Sequence, residues 1–76
     1  MKNGGLSNCV FVRLMSENVD VWRPVRAKRI DGMIYMILGQ KYDSDIETWQ
    51  FVPGDKVVCE YVKNEDGQIL VAKGKV

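Results

Sequence analysis

Pro53-Gly54-Asp55-Lys56-Val57-Val58-Cys59-Glu60-Tyr61-Val62, followed by Asn64-Glu65-Asp66-Gly67 and Gln68-Ile69-Leu70-Val71-Ala72, decides the fold class. Pro53-Gly54 is a turn that opens a strand rich in β-branched residues. Asn64 to Gly67 supplies a second turn, and an apolar strand returns from it. Two strand-forming runs joined by turn chemistry are the signature of a β-hairpin. The chain therefore reads as all-β.

Earlier segments repeat the pattern. Asp31-Gly32 suits a two-residue type I′ turn and joins residues 25–30 to residues 33–38. Residues 33–38 are apolar on both faces, so one face is expected to meet the core and the other to be covered. Residues 19–23 read as an extended lead-in. Pro24 has no N–H for a ladder, which predicts an edge, a strand start or a bulge that resets the side-chain alternation. Residues 9–15 form a first strand, with Val10, Val12 and Leu14 alternating with Phe11, Arg13 and Met15. Ser44-Asp45-Ile46-Glu47 fits a capping box and predicts one helical turn. Trp49-Gln50-Phe51 reads as a short strand with both rings on one face.

Five main strands, mostly sequential, cannot leave two flat edges exposed. The economical solution is a small five-stranded antiparallel barrel, SH3-like, with an OB-like barrel as the alternative. The segment between the third and fourth strands is short for the full helix of an OB-like barrel, which favours the SH3-like reading. Residues 1–8, rich in Gly and Asn, are expected to form a flexible N-terminal tail. Residues 9–76 are expected to form one domain.

A chain of 76 residues has room for one small core. Its formal net charge of +1 gives no global field toward nucleic acid or membrane. The charge is uneven, however. Arg23, Arg26, Lys28 and Arg29 cluster in one stretch, and Asp43, Asp45 and Glu47 in another. No apolar run approaches the ~20 residues of a membrane span, and the first residues hold no apolar signal-peptide core. A cytosolic location without membrane contact is the expectation. Cys9 and Cys59 are then expected to be reduced thiols, both acting as small buried hydrophobes.

Most site chemistries lack their residues. There is no histidine, the commonest general base and metal ligand. The two cysteines have no Cys-x-x-Cys spacing. Asp43, Asp45 and Glu47 alternate like part of a calcium loop but lack its glycine and distal glutamate. They pair as carboxylates only by adjacency, with nothing marking a cleft around them. No metal, no cofactor and no catalysis are expected.

The sharper feature is the mixture of aromatic and cationic groups at Trp22, Arg23, Arg26, Lys28 and Arg29, with Tyr35 across the Asp31-Gly32 hairpin. Trp22, Arg26 and Lys28 share strand parity, whereas Arg23 and Arg29 fall on the other side. Two functions stay open. One is a non-catalytic protein-interaction or accessory module, in which exposed rings among Trp22, Trp49, Phe51, Tyr35 and Tyr61 and the arginines contact a protein partner. The other is single-stranded nucleic-acid binding through an aromatic platform and a basic groove. Against both stands a plain solvated face, with Trp22 covering a barrel end and the acidic loop neutralising the arginines.

The order of marks, Asp20-Val21-Trp22-Arg23-Pro24-Val25, Tyr35, Asp45 through Trp49 and Phe51, then Pro53-Gly54-Asp55-Lys56-Val57-Val58-Cys59, resembles a group of very small uncharacterised bacterial β-barrel proteins. The resemblance spans about residues 10 to 73. It implies a stand-alone barrel and no activity, so no site residue is carried over from it.

Overall fold

A computed structural model describes residues 8–15, 19, 21–65 and 67–76. Five strands follow in order: β1 (Asn8–Arg13), β2 (Trp22–Asp31), β3 (Ile34–Ile37), β4 (Lys56–Asn64) and β5 (Gly67–Lys75). They close into a ring in sequence order. Sequential neighbours are antiparallel. The closing contact is parallel and pairs Phe11 with Val71. The five-stranded antiparallel barrel is thus present, and the ring is common to the SH3-like and OB-like forms. The tail predicted for residues 1–8 lies outside the described residues except for Asn8, which opens β1.

Alternation fills the interior. Val10, Val12, Val25, Ala27, Tyr35, Ile37, Val57, Cys59, Leu70 and Ala72 form one buried cluster with Leu14, Trp49 and Phe51. No polar or charged residue is buried among the described residues. The predicted strand at residues 49–51 is reduced to a single bridge, Leu14 to Trp49. Gln50 N–H donates to Arg13 C=O at 2.8 Å and Met15 N–H to Thr48 C=O at 2.7 Å, so the loop laces the end of β1. Trp49 and Phe51 do share a face, and both rings are buried.

Pro24 sits inside an uninterrupted β2, without the bulge that would reset its alternation. The reason lies in the hydrogen-bond phase. Leu14 N–H donates to Val21 C=O at 2.9 Å, and antiparallel pairs alternate between bonded and non-bonded. Val12–Arg23 and Val10–Val25 are then bonded pairs, and Phe11–Pro24 is a non-bonded one. The missing N–H faces the side of β2 that β3 pairs only from Ala27 onward. There Arg26 is served instead by the Gln40 side chain. Arg26 N–H donates to Gln40 Oε1 at 3.0 Å, and Gln40 Nε2 donates to Arg26 C=O at 2.9 Å.

Two register shifts bend the sheet. One leaves Ile30 as an extra residue between Arg29 and Asp31. It moves the turn along by one residue, so Gly32 and Met33, not Asp31 and Gly32, become its centre. Of these two only Gly32 has positive φ (52°), and no non-glycine residue has one among those described. That is the φ pattern of a type II′ turn rather than the expected type I′. The second shift lies between Val58 and Cys59 and leaves Lys73 extra on β5. Such bulges sharpen local twist, which a small closed ring needs. The Pro53-Gly54 turn is as expected: Asp55 N–H donates to Val52 C=O at 3.0 Å, with Gly54 at φ 97°, as in a type II turn.

The helical turn before Trp49 also exists, with a different cap. Asp43 C=O accepts the N–H groups of Ile46 and Glu47, and Asp43 Oδ1 accepts Asp45 N–H at 2.9 Å. Asp43 therefore takes the capping role assigned to Ser44, and the Glu47 carboxylate is engaged elsewhere.

The turn assignment has a direct test. A Cβ on Gly32 meets nothing within 4 Å, so the cost of a side chain there is backbone strain alone. Gly32→Val is expected to lower stability by about 1–3 kcal/mol. Gly39→Ala, at an equally open glycine without positive φ, is expected to leave the urea midpoint unchanged or raised. Equal midpoints for the two variants would reject the assignment.

Candidate functional site

β2 sorts the sequence-predicted residues onto two sides. Val25 and Ala27 point inward, so Trp22, Pro24, Arg26 and Lys28 point outward. Arg23 and Arg29 share the inward parity but lie where β2 runs past the core, and both are exposed. Each leans over a different rim of the barrel.

At one rim, Arg23 clamps the acidic loop. Its Nε lies 2.8 Å from Glu47 Oε1 and its Nη2 2.7 Å from Oε2, a fork-to-carboxylate pair. Glu47 Oε1 also accepts the Trp49 indole N–H at 2.8 Å. The Tyr42 ring packs against Trp49 with centroids 4.6 Å apart, and Tyr42 Oη accepts Trp49 N–H at 3.3 Å. The Arg23 hydrogen bond, helped by that from Trp49, holds the Glu47 carboxyl below its ordinary range. The same hydrogen bond and charge raise the Arg23 guanidinium. This rim is a lid.

At the other rim, Arg29 Nε donates to Gly32 C=O at 2.7 Å. Tyr35, directly opposite Arg29, is buried, and burial pushes its phenol up. Tyr35 is therefore packed into the core, at the edge of a second depression that it lines with Cys9, Phe11 and Tyr61. It shares parity with fully buried Ile37 and so lies apart from the outward row of Trp22, Arg26 and Lys28.

The remaining predicted residues lie together. On the outer face, Arg13 stands opposite Trp22, Phe11 opposite Pro24, and Cys9 opposite Arg26. Met36 stands opposite Lys28 across β3, and Lys56 opposite Met36 across β4. No Asp or Glu occupies any of these positions. Among the described residues, Arg26 and Lys28 pair with no carboxylate. The long contact of Arg26 Nη2 with Gly39 C=O, 3.4 Å, is a backbone one. A shallow depression of about 270 Å³ opens beside Arg26, lined by Asn8, Cys9, Pro24, Val25 and Gln40. Arg13, Phe11, Met36, Lys56 and Gln40 were not singled out in the sequence, because only strand register brings them here.

The two cysteines differ. Both are free thiols, but Cys9 is exposed and only Cys59 is buried. The expectation that both are buried fails at Cys9, which alternates with inward Val10 and Val12. Burial raises the Cys59 thiol to about 11. Asp43, Asp45 and Glu47 do not converge, and no group of three potential metal ligands exists among the described residues. The exposed rings do not form one patch either: Trp49, Phe51 and Tyr35 are core, while Trp22 and Tyr61 lie on β2 and β4.

No protein-family model, no curated protein and no solved structure matches the chain.

Two outcomes follow from this geometry. Under native conditions a thiol reagent is expected to modify Cys9 alone, with Cys59 reacting only after unfolding, as a raised thiol suppresses the thiolate; peptide mapping that finds both modified natively would contradict the placement of Cys59. The second outcome concerns acid stability. A carboxyl held below its unfolded value adds stability above that value and loses it as pH falls through its folded one. The wild type is therefore expected to lose stability through the acidic carboxylate range more steeply than Glu47→Gln. Identical slopes in urea titrations across that range would remove the lid pair from the account.

Proposed function

We propose that the chain is a non-catalytic binding module whose working surface is the outer face of β1, β2 and β3. The observation that carries this reading is charge segregation. In a molecule of net charge +1, Arg26, Lys28 and Lys56 share a face with Trp22, Phe11 and Met36, and the carboxylate of that face, Asp31 opposite Ile34, stands at the turn end of β2. The acidic loop, the obvious neutralising element, engages Arg23 at the rim instead. Cations kept apart from available carboxylates support a role toward an outside partner.

The face is tested by where a partner touches. A photo-crosslinking amino acid at position 28 is expected to give discrete adducts in cells, reduced by Trp22→Ala. The same group at position 63, an exposed site on the β4–β5 hairpin, is expected to give none. Adducts at position 63 alone, or at neither position, would sink the reading.

A further inference from the structure

Resting on that binding face, we propose that its ligand is single-stranded nucleic acid, with an unstacked base seated in the depression beside Arg26 and phosphates on Arg26 and Lys28. Three features point to this chemistry. The first is sign. From Cys9 to Arg13 and from Trp22 to Lys28 every charged outward side chain is a cation, as is Lys56 opposite Met36, and the carboxylate of the β2–β3 ladder, Asp31 opposite Ile34, stands at its turn end. The complement is therefore an anion presented along a line rather than at a point. The row from Trp22 to Lys28 extends about 20 Å at ~3.3 Å per residue, the length of several nucleotides.

The second feature is how apolar and charged groups alternate. A protein interface gathers a desolvated apolar centre, depleted in charge, inside a polar rim. Here Arg13 faces Trp22, Arg26 faces Cys9 and Lys28 faces Met36, so cations flank the single apolar Phe11–Pro24 pair on both sides and leave only a narrow apolar centre. Cations interleaved with separate flat surfaces are what a strand with alternating phosphates and bases needs.

The third is the depression itself. Pro24 and Cys9 give it apolar lining, and Arg26 lines it as well. The amide of Gln40 is already committed to Arg26 and Leu38 backbone groups. The Gln40 amide is thus not free to read a base edge, which leaves Asn8 and Arg26 as the polar groups at the seat and favours holding a ring by stacking. Any base suits it, and sequence preference should be slight. A duplex keeps its bases stacked inside and cannot fill the seat.

Cys9 lines this depression and supplies a local reporter. A single-stranded oligothymidine of roughly 16 nucleotides, a duplex of equal length and polyglutamate of equal charge serve as probes, with anisotropy and Cys9 alkylation as readouts. Oligothymidine is expected to bind with a salt-dependent affinity and to protect Cys9. The double substitution Arg26→Ala and Lys28→Ala is expected to flatten the log–log salt slope by about 0.7 for each lost contact. Trp22→Ala is expected to weaken binding at least about fivefold, with Trp22→Phe in between. Binding of the duplex as tight as that of the single strand would overturn the proposal. Polyglutamate that binds and protects Cys9 as well as oligothymidine does would overturn nucleic acid as the ligand and leave the binding face standing. No protection of Cys9 by any probe would overturn the proposal, and adducts missing at position 28 as well would take the binding face with it.

Discussion

A ring of five strands cannot alternate direction all the way round. One neighbouring pair must run parallel, and here it falls between β5 and β1, with Phe11 opposite Val71 as the one pair among the described residues. So short a seam contributes few ladder hydrogen bonds, each worth about 0.5–1.5 kcal/mol net. The side chains behind it contribute more. Val10 and Val12 from β1 meet Leu70 and Ala72 from β5 in the core, and burying one such aliphatic side chain is worth about 1.5–3 kcal/mol. The barrel is held shut by its filling rather than by its seam. The long β4–β5 hairpin, bent where Lys73 is extra, delivers β5 to that position.

Closure also decides what happens at the two rims. β2 is longer than the core it borders, so its inward-facing ends emerge as Arg23 and Arg29. A long side chain can lay its stem over apolar surface and keep its charge in water. Arg23 does so over the lid built by Tyr42, Glu47 and Trp49. Arg29 does so beside Tyr35 and ties down the Gly32 turn. Both arginines are thereby part of the architecture. The cations left for a partner are those of the opposite parity.

The parts of the fold legible in the sequence are the local ones. Pro53-Gly54 forms its type II turn because two adjacent residues carry the whole requirement. The hairpin at Asp31-Gly32 is legible, yet its centre is displaced by Ile30, an extra residue that only the pairing with β3 defines. Pro24 was legible as an exception to a ladder. Whether it needed a bulge depended on where β3 stops, which the local sequence does not encode. Cys9 was legible in full and misread: once Val10 and Val12 face inward, its own side chain faces out. Tyr35 was not legible, because residues 33–38 are apolar on both faces and give no parity signal. Of the site, Trp22, Arg26 and Lys28 followed from alternation along one strand, while Arg13, Met36 and Lys56 needed the register across three ladders.

The same distinction explains why the charge balance misleads. The acidic stretch at 43–47 follows the basic stretch at 23–29 closely enough to suggest mutual neutralisation. Pairing, however, requires the side chains to meet, and only Arg23 has both the parity and the end position that bring it to the lid. Asp43 and Asp55 are acceptors in local turns: Asp43 takes Asp45 N–H, and Asp55 takes Val52 N–H with Lys75 nearby. Turns favour short acidic side chains because these accept backbone hydrogen bonds a residue or two away. In this barrel Asp43, Glu47 and Asp55 are therefore drawn to loops and rims, Asp31 stands at the turn end of β2, and the outward positions from Trp22 to Lys28 are left to cations and apolar groups. A near-neutral sum is compatible with a strongly one-signed face when turn chemistry, rather than ion pairing, decides where the carboxylates go.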